Sequence, residues 1–348
     1  MAISLWIVGA GFLISGTASY LISRYRGRWA VLDRPNQRSL HANPLPRLGG
    51  VGIISGILVT AIMAYRFSGS GLVPFLLPIL FGFAIIISIS LLDDIYKTPV
   101  LMRLTAQLTA AMLVIYGGLS VNTLAISGWS MHLSVSVGAS LSILFIVWMT
   151  NLYNFMDGMD GFAAGMGIIG FGAFAVLGGL AGVWQFAQVS AGIVAGCGGF
   201  LWLNFPPAKI FMGDVGAASL GFLAAVFMLW ANHENIFPLW VGATVFSPFI
   251  VDATWTLVSR VVRGKPPWHA HREHFYQRLV RLGWGQRRTV LGEYAVMLVC
   301  SLLAVILYMA NSALIQIIGL GFILLAYVGL GLLVRDLEAR RRKGETQS

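Results

Sequence analysis

Acidic residues are few in this sequence, and several stand in short motifs whose residue types suit a phosphate site. The chain has 13 Asp and Glu among 348 residues. Asp93 and Asp94 are adjacent, and Lys97 and Arg103 follow them. Adjacent carboxylates repel each other unless a cation or a proton lies between them. The pair and its two basic neighbours therefore predict a site for a magnesium-linked phosphate.

A second motif places polar residues at every third position: Asn151, Asn154, Asp157 and Asp160. On a helix or a tight helical turn, this spacing stacks two amides and two carboxylates along one face. A glycine follows each aspartate and lets a ligand approach the backbone closely. Amide and carboxylate oxygens are the hard ligands that Mg²⁺ prefers, so the motif predicts a metal-assisted site.

A third motif ends in Phe211-Met-Gly-Asp214, directly before an apolar run. The Asp214 carboxylate could complete the metal site. The Phe211 ring could stack on a base, or it could simply contact lipid or the core.

A fourth polar stretch, the interval 260–288, is rich in histidine and arginine. Its candidate ligands are His269, His271, Arg272 and His274. Zinc binding is one interpretation, but no cysteine accompanies the histidines and the spacing fits no zinc motif. Diphosphate binding fits better, since arginine and protonated histidine form charge-assisted hydrogen bonds with phosphate oxygens.

The elements that must position these motifs are membrane-spanning helices. Hydrophobic residues make up 57% of the chain and charged residues only 10%, whereas soluble domains average about 25% charged. A span needs about 20 apolar residues, and continuous runs without alternation favour helices over a barrel. We therefore predict a single all-α, polytopic domain over 1–348. Its eleven spans lie near 4–22, 49–65, 74–92, 104–118, 135–150, 162–180, 185–203, 216–231, 237–257, 289–309 and 314–334.

The basic residues predict how the spans are oriented. Eleven spans place alternate loops on opposite sides, and 22 of the 23 Lys and Arg fall in one set of loops and flanks, with Arg66 the exception. The positive-inside rule makes that set cytoplasmic, with the N-terminus outside and the C-terminus inside. All four motifs then share the cytoplasmic face. The net charge of +10 indicates topology and contact with the lipid bilayer, and without a compact basic domain nucleic-acid binding is not expected.

Together, the four motifs resemble those of the polyprenyl-phosphate N-acetylhexosamine-1-phosphate transferase family, which is glycosyltransferase family 4-like. The resemblance covers essentially the whole chain. Its motifs are Asp33-Arg-Pro, Arg38-Ser-Leu-His41, Pro46-Arg-Leu-Gly-Gly50, Asp93-Asp94 with Lys97, Asn151-x2-Asn154-x2-Asp157-Gly-x-Asp160-Gly161 and Phe211-Met-Gly-Asp214. The tract His271-Arg-x-His274-x-Tyr-Gln is similar to the bacterial O-antigen and hexosamine branch. It departs from the consecutive histidines of the muramyl-pentapeptide branch, which leaves the sugar undecided.

The resemblance implies that undecaprenyl phosphate attacks the β-phosphate of a UDP-N-acetylhexosamine and that UMP leaves. It implies Mg²⁺ on the diphosphate, with Mn²⁺ able to substitute, held by Asp214 and Asn154. Asp93 or Asp94 would assist the lipid phosphate, and Asp157 and Asp160 would orient the nucleotide. Substrate contacts would come from Lys97, Arg103, Asn151, Phe211, His269, His271, Arg272 and His274.

The resemblance also implies a bacterial cytoplasmic (inner) membrane location. The product would start a lipid-linked glycan such as O-antigen, in lipopolysaccharide or other cell-envelope synthesis. It does not decide between a monomer and a homodimer.

Two alternatives stay open on the sequence. Asp157-x2-Asp160-Gly161-x2-Ala164 matches the opening of the CDP-alcohol phosphotransferase signature, but Gly165 replaces the expected arginine and the downstream acids are missing. A secondary transporter would place its acids near the bilayer midplane, whereas these lie in loops.

Overall fold

The computed structural model describes residues 5–25, 27, 31–33, 44–68, 74–126, 129–266, 271–310 and 312–345. Almost all of the described chain is helical. The helices are α1 (Leu5–Arg24), α2 (Gly49–Ser68), α3 (Leu76–Tyr96), α4 (Val100–Tyr116), α5 (Val135–Met156), α6 (Phe162–Leu180), α7 (Trp184–Asn204), α8 (Gly213–His233), α9 (Leu239–Val245), α10 (Ser247–Val262), α11 (Phe275–Leu279), α12 (Gly285–Met309) and α13 (Ala313–Glu345).

Apolar helices long enough to cross a membrane account for most of these elements. In the described parts of the chain nine helices qualify, or ten when the bent pair α9 and α10 counts as one span. The helix α4 is apolar but shorter, at 17 residues. In a helix the backbone N–H and C=O groups hydrogen-bond to one another, which is required inside lipid because no water is present to bind them. The predicted polytopic helical membrane protein is therefore confirmed.

The predicted span at 237–257 is broken. Two helices, α9 and α10, meet at Phe246 with a bend of 80°. Pro248 has no N–H with which to continue the helical ladder to the Thr244 carbonyl. The Ser247 hydroxyl donates to that carbonyl instead, at 2.6 Å.

Two short strand pairs depart from a purely helical fold. Strand β1 (Leu32–Asp33) pairs with β2 (Leu45–Pro46), and β3 (Thr123–Ile126) pairs with β4 (Trp129–His132), both antiparallel. The prediction of an all-α chain missed them because runs of two to four residues carry too little alternation to detect.

The core is formed around α8, whose residues are nearly all buried. Small residues let the backbones of α1, α2 and α7 approach closely, as in other membrane bundles. A Cβ on Gly56, for example, would lie 2.6 Å from the Gly11 carbonyl oxygen. Aromatic rings of α6, α7, α8 and Phe246 fill the centre of the bundle. This packing holds the helix ends that carry the polar motifs.

The interval 260–288, expected as a loop, is only partly one. It contains the end of α10, the helix α11, a π-helical turn over Val280–Trp284 and the start of α12. Among the described residues of this interval, those between α10 and α11 are 263–266 and 271–274.

Candidate active site

Three helix ends bring together a group of charged side chains that we call the aspartate cluster: Asp93, Asp94, Asp214, Arg47 and Arg103. Asp93 and Asp94 lie in the last turn of α3, and Asp214 lies in the first turn of α8. The carboxyl groups of Asp93 and Asp214 lie within hydrogen-bonding reach of each other. The sequence motifs at 93–94 and 214 therefore meet, as predicted.

Asp94 binds the start of α8. Its Oδ1 accepts from the backbone N–H of Asp214 at 3.0 Å, and its Oδ2 accepts from that of Val215 at 3.0 Å. The first N–H groups of a helix have no partner within the helix, so a carboxylate from another helix can satisfy them. Gly213 permits this close approach, because its φ is 72° and a Cβ there would lie 2.7 Å from Asp94 Oδ2.

Arg47 is a site residue that the sequence interpretation did not single out, although it lies within the Pro46-Arg-Leu-Gly-Gly50 motif. Its Nε contacts Asp94 Oδ1 at 2.9 Å, and one of its terminal nitrogens contacts Asp214 Oδ1 at 2.8 Å. Burial opposes the charge of Arg47, yet Asp214 and Asp94 raise its pKa above the ordinary value. It is therefore a permanent cation between two carboxylates.

Backbone pairing positions Arg47. The N–H of Phe211 donates to the Pro46 carbonyl at 2.8 Å, and the N–H of Gly49 donates to the Phe211 carbonyl at 2.9 Å. This contact lays the start of α2 against the residues that precede α8. Phe211 has a backbone role here that its sequence pattern did not predict.

Asp93 faces the start of α4. Its Oδ1 accepts from the backbone N–H and the hydroxyl of Thr98, at 2.6 and 2.7 Å. Its Oδ2 contacts Arg103 at 2.9 Å, and Arg103 also lies 3.6 Å from Asp214. Arg103 thus belongs to the cluster, and its contact with a substrate stays a prediction. Lys97, by contrast, is exposed in a left-handed conformation at the end of α3, and no contact of its side chain with these carboxylates is found in the described structure.

Asp157 is the aspartate left with most freedom to bind a ligand. Within the described ranges its carboxyl group forms no hydrogen bond or ion pair. Burial, together with the nearby Asp214 and Asp94, raises its pKa to about 8. Neighbouring carboxylates that repel one another favour a bound proton or a bound cation.

The other members of the Asn-Asp motif have structural partners. Asn151 hydrogen-bonds with Gln107 of α4 at 2.6 Å and with the Val147 carbonyl at 2.8 Å. Asp160 accepts from the backbone N–H of Ala208 at 2.9 Å. Asn154 is half-buried at the end of α5, and its carbonyl accepts from the Asp157 N–H at 3.2 Å. The motif therefore covers the turn between α5 and α6, where Asp157 is the C-cap residue of α5.

The histidine segment, His271–Gln277, is held by Asp252 of α10. Asp252 Oδ1 contacts His274 Nδ1 at 3.1 Å and accepts from the Phe275 N–H at 3.0 Å. Its Oδ2 accepts from the Tyr276 N–H at 3.4 Å. The sequence showed Asp252 as an acid inside a span but assigned it no role, because nothing in its neighbourhood indicates that a distant helix begins beside it.

His271 lies next to His274, with ring centroids 5.0 Å apart. Burial, with the neighbouring His274 and Arg260, lowers the pKa of His271 to about 4. The ring is therefore neutral at pH 7 in the unliganded site, whereas the sequence interpretation expected protonated histidine. Arg272 lies beside it, and His269 falls outside the described residues, as does the Arg38-Ser-Leu-His41 motif.

The histidine segment contacts the Asn-Asp motif through Tyr276. The Tyr276 hydroxyl donates to the Phe155 carbonyl at 3.4 Å. A Cβ on Gly158 would lie 2.1 Å from that hydroxyl oxygen. Glycine at 158 is therefore needed for the segment to reach the Asp157 turn.

A magnesium site fits the chemistry of these residues. The described residues contain no three His, Cys, Asp or Glu side chains already placed as a metal-ligand group. Mg²⁺ commonly binds one or two carboxylates, with water and substrate phosphates as its other ligands. Asp157 and Asp214 supply two such carboxylates, and their mutual repulsion would be relieved by a cation.

Comparison with known proteins places this arrangement in a family. Residues 76–232 match Glycosyl transferase family 4. The probable undecaprenyl-phosphate N-acetylglucosaminyl 1-phosphate transferase of Bacillus subtilis is 29% identical over 84% of this chain and 81% of its own length. The phospho-N-acetylmuramoyl-pentapeptide-transferase of Halalkalibacterium halodurans is 32% identical over 75% and 83%. The undecaprenyl-phosphate alpha-N-acetylglucosaminyl 1-phosphate transferase of Escherichia coli O157:H7 is 25% identical over 85% and 88%.

The matched region contains Asp93, Asp94, Asp157 and Asp214, the acids that meet at the helix ends. The histidine segment lies beyond it, but the alignments with whole relatives cover most of both chains. The resemblance that the motifs indicated is confirmed, and the chain belongs to glycosyl transferase family 4.

Proposed function

We propose that this protein transfers N-acetylhexosamine 1-phosphate from a UDP-sugar, UDP-GlcNAc or a close relative, to undecaprenyl phosphate. The observation that carries the proposal is the convergence of Asp93, Asp94, Asp157 and Asp214 from two helix ends and one turn, beside Arg47 and Arg103. The names of the relatives, which describe transfer to undecaprenyl phosphate, support the same reaction. Family membership favours it over a CDP-alcohol phosphotransferase or a secondary transporter.

In this reaction an oxygen of the lipid phosphate forms a bond to the β-phosphorus of the UDP-sugar. The bond from that phosphorus to the bridging oxygen of UMP breaks, and its electron pair leaves with UMP. The sugar C1–O bond is untouched, so the anomeric configuration is retained. Phosphoryl transfer of this kind depends mainly on positioning and on neutralising charge.

The residues divide these tasks. Asp157 and Asp214, with the amide of Asn154, would hold Mg²⁺, which neutralises diphosphate charge when it is bound; Mn²⁺ would serve in its place. Arg103 and Arg47 add fixed positive charge beside the phosphates. Asp94 positions Asp214 through the α8 backbone, and Asp93 orients Arg103 towards the lipid phosphate.

The histidine segment would bind the donor diphosphate and sugar. His271 and Arg272 have N–H groups suited to phosphate oxygens, and the charge of a bound diphosphate would favour protonation of His271. Asp160 would act on the nucleotide indirectly, by holding the loop at Ala208 that leads to Phe211.

The same proposal includes the membrane arrangement. Eleven spans, counting α4 and the bent pair, place the N-terminus outside and the C-terminus inside. The aspartate cluster then lies at the cytoplasmic face of a bacterial inner membrane, and the product starts a cell-envelope glycan such as O-antigen. A cysteine at His233 should react with an impermeant thiol reagent in intact cells, and one at Lys209 should not. Cys197 and Cys300 are buried and give little background.

The activity is tested by UMP release from the purified protein in vesicles. UDP-GlcNAc, its 4-epimer and UDP-MurNAc-pentapeptide are compared as donors, each with and without undecaprenyl phosphate and Mg²⁺. We expect UMP only when acceptor and metal are both present, with UDP-GlcNAc or its 4-epimer preferred. UMP release that ignores the acceptor, or its absence with all three donors, would refute the proposal.

A further inference from the structure

A large cavity lies beside the histidine segment and contains none of the aspartates of the site. It has a volume of about 860 Å³ and lies between α10 and α13. Residues from the start of α11 and from the π-helical turn complete its lining. Of the residues that line it, the proposed reaction uses only Arg272.

One end of the cavity is apolar. Val251 and Trp255 of α10 and Leu324 and Val328 of α13 form its walls. Trp255 and Leu324 are more than 60% exposed, so these walls are open to the surroundings of the bundle. From Val251 to Val262 the α10 wall is about 16 Å long, at about 1.5 Å per residue. A surface of this kind suits a hydrocarbon chain.

The other end of the cavity is basic. Six cationic residues line it: Arg263, Lys265, Arg272, Arg278, Arg281 and Arg335. Two carboxylates neutralise part of this charge. Glu273 contacts Arg263 at 2.8 Å and Lys265 at 3.3 Å, and Glu338 contacts Arg278 at 2.8 Å.

The two carboxylates do not balance the positive charge of this lining. Four more cations than carboxylates line this end. Arg281 and Arg335 are exposed, and among the described residues their side chains form no ion pair. A phosphate placed between them would gain charge-assisted hydrogen bonds without breaking an existing pair.

We propose that this cavity binds an anionic glycerophospholipid, with an acyl chain along α10 and α13 and the phosphate at Arg281 and Arg335. Basic pockets beside membrane helices favour anionic headgroups, and each basic residue strengthens the attraction. The acceptor lipid fits less well, since the carboxylates at which it would react are not in the cavity. The proposal does not depend on the transferase activity.

A bound phospholipid would also restrain the histidine segment. Arg272, Glu273 and Phe275 belong both to this segment and to the cavity wall. A phosphate bound at the basic end would therefore also restrain this segment, which gives membrane composition a route to the site.

Lipid binding is tested by native mass spectrometry of the purified full-length protein. The probes are phosphatidylglycerol, phosphatidylethanolamine and undecaprenyl phosphate, each titrated separately and then in competition. The test variant is Arg281→Gln with Arg335→Gln. The matched control is Arg288→Gln with Arg340→Gln, which removes the same charge from α12 and α13 outside the cavity.

We expect phosphatidylglycerol to bind the wild type more tightly than phosphatidylethanolamine does. Loss of the two cavity arginines should weaken phosphatidylglycerol binding about 20- to 30-fold, and the control should stay within about twofold of the wild type. Val328→Trp fills the apolar end of the cavity without changing its charge, and it should weaken the binding of both phospholipids.

Three results would overturn the proposal. One is equal phosphatidylglycerol binding by the wild type and the Arg281 and Arg335 variant. Another is equal affinity of the wild type for the two phospholipids, which would leave only apolar contact. The third is one-for-one displacement of phosphatidylglycerol by undecaprenyl phosphate, which would assign the cavity to the acceptor lipid.

Discussion

The aspartate cluster and the histidine segment are organised by the same device, a buried carboxylate that binds the start of another helix. Asp94 does this for α8, and Asp252 does it for α11. Burying a carboxylate is unfavourable unless hydrogen bonds or opposite charges compensate it, and both acids are compensated by backbone N–H groups plus a basic side chain.

The two regions differ in the charge that remains for a ligand. The cluster and the adjacent Asp157 bring carboxyl groups together, and repulsion between Asp157 and Asp214 favours a bound proton or a bound cation. The histidine segment presents a neutral His271 and has its acid, Glu273, occupied by Arg260, Arg263 and Lys265. One region is therefore suited to a metal, and the other to the anion that the metal accompanies.

The largest effect is expected from Asp214→Asn. The substitution keeps the shape and the α8 backbone contacts to Asp94 but removes the charge that would hold the metal. Loss of one well-placed electrostatic group costs about 10²–10³ in rate, and added Mg²⁺ should restore little. The measurement is UMP release across a magnesium titration.

Asp336→Asn is the control for that experiment, because Asp336 pairs only with Arg340 on the surface of α13 in the described contacts. Asp33 would be unsuitable as a control, since it acts electrostatically on Arg47. Equal activity of the Asp214 and Asp336 variants would remove Asp214 from the metal site and leave the cluster with a structural role only.

His271→Ala should have the next largest effect, about 10- to 100-fold on turnover, because a hydrogen bond to a charged phosphate is lost. His271→Asn should recover part of the activity, since the free histidine is neutral and an amide N–H can replace its donor. Kinetic assays with both variants test this, and near wild-type activity of the alanine variant would make the segment structural.

Asp252→Asn tests whether Asp252 acts by positioning the histidine segment. The amide has one acceptor oxygen in place of two and cannot pair with a charged His274, so α11 should lose part of its cap. The free energy lost with such a cap corresponds to a change of about tenfold in an equilibrium constant. We expect this change mainly as a higher KM for the UDP-sugar, with kcat less affected. A fall in kcat with an unchanged KM would contradict a positioning role.

The smallest effect concerns pH. Because the pKa of Asp157 is raised to about 8, this carboxyl is protonated in the free site below pH 8, and Mg²⁺ must displace the proton. The Mg²⁺ concentration for half-maximal activity should therefore fall severalfold as pH rises from 7 to 8.5. Asp157→Asn should abolish this dependence; an unchanged pH profile in that variant would exclude Asp157 as a ligand.

The sequence was sufficient for the helical membrane fold and for the motifs. Apolar runs of the length of a bilayer can exist in lipid only as helices, so the polytopic helical fold followed from composition and period. Asp93, Asp94, Asp157 and Asp214 could be selected because acids are scarce in such a chain, and their helix ends were then expected to share one face.

Only the tertiary structure decided which groups are free to react. Asp93 and Asp94 are adjacent but have different partners, because successive residues of a helix point about 100° apart. Asp93 contacts Thr98 and Arg103, whereas Asp94 contacts Arg47 and the backbone of α8. Arg47 is separated from its partner Asp214 by 167 positions in the sequence, and Asp252 is separated from its partner Phe275 by 23. Contacts at such separations depend on how the helices pack, and local sequence patterns carry no record of them.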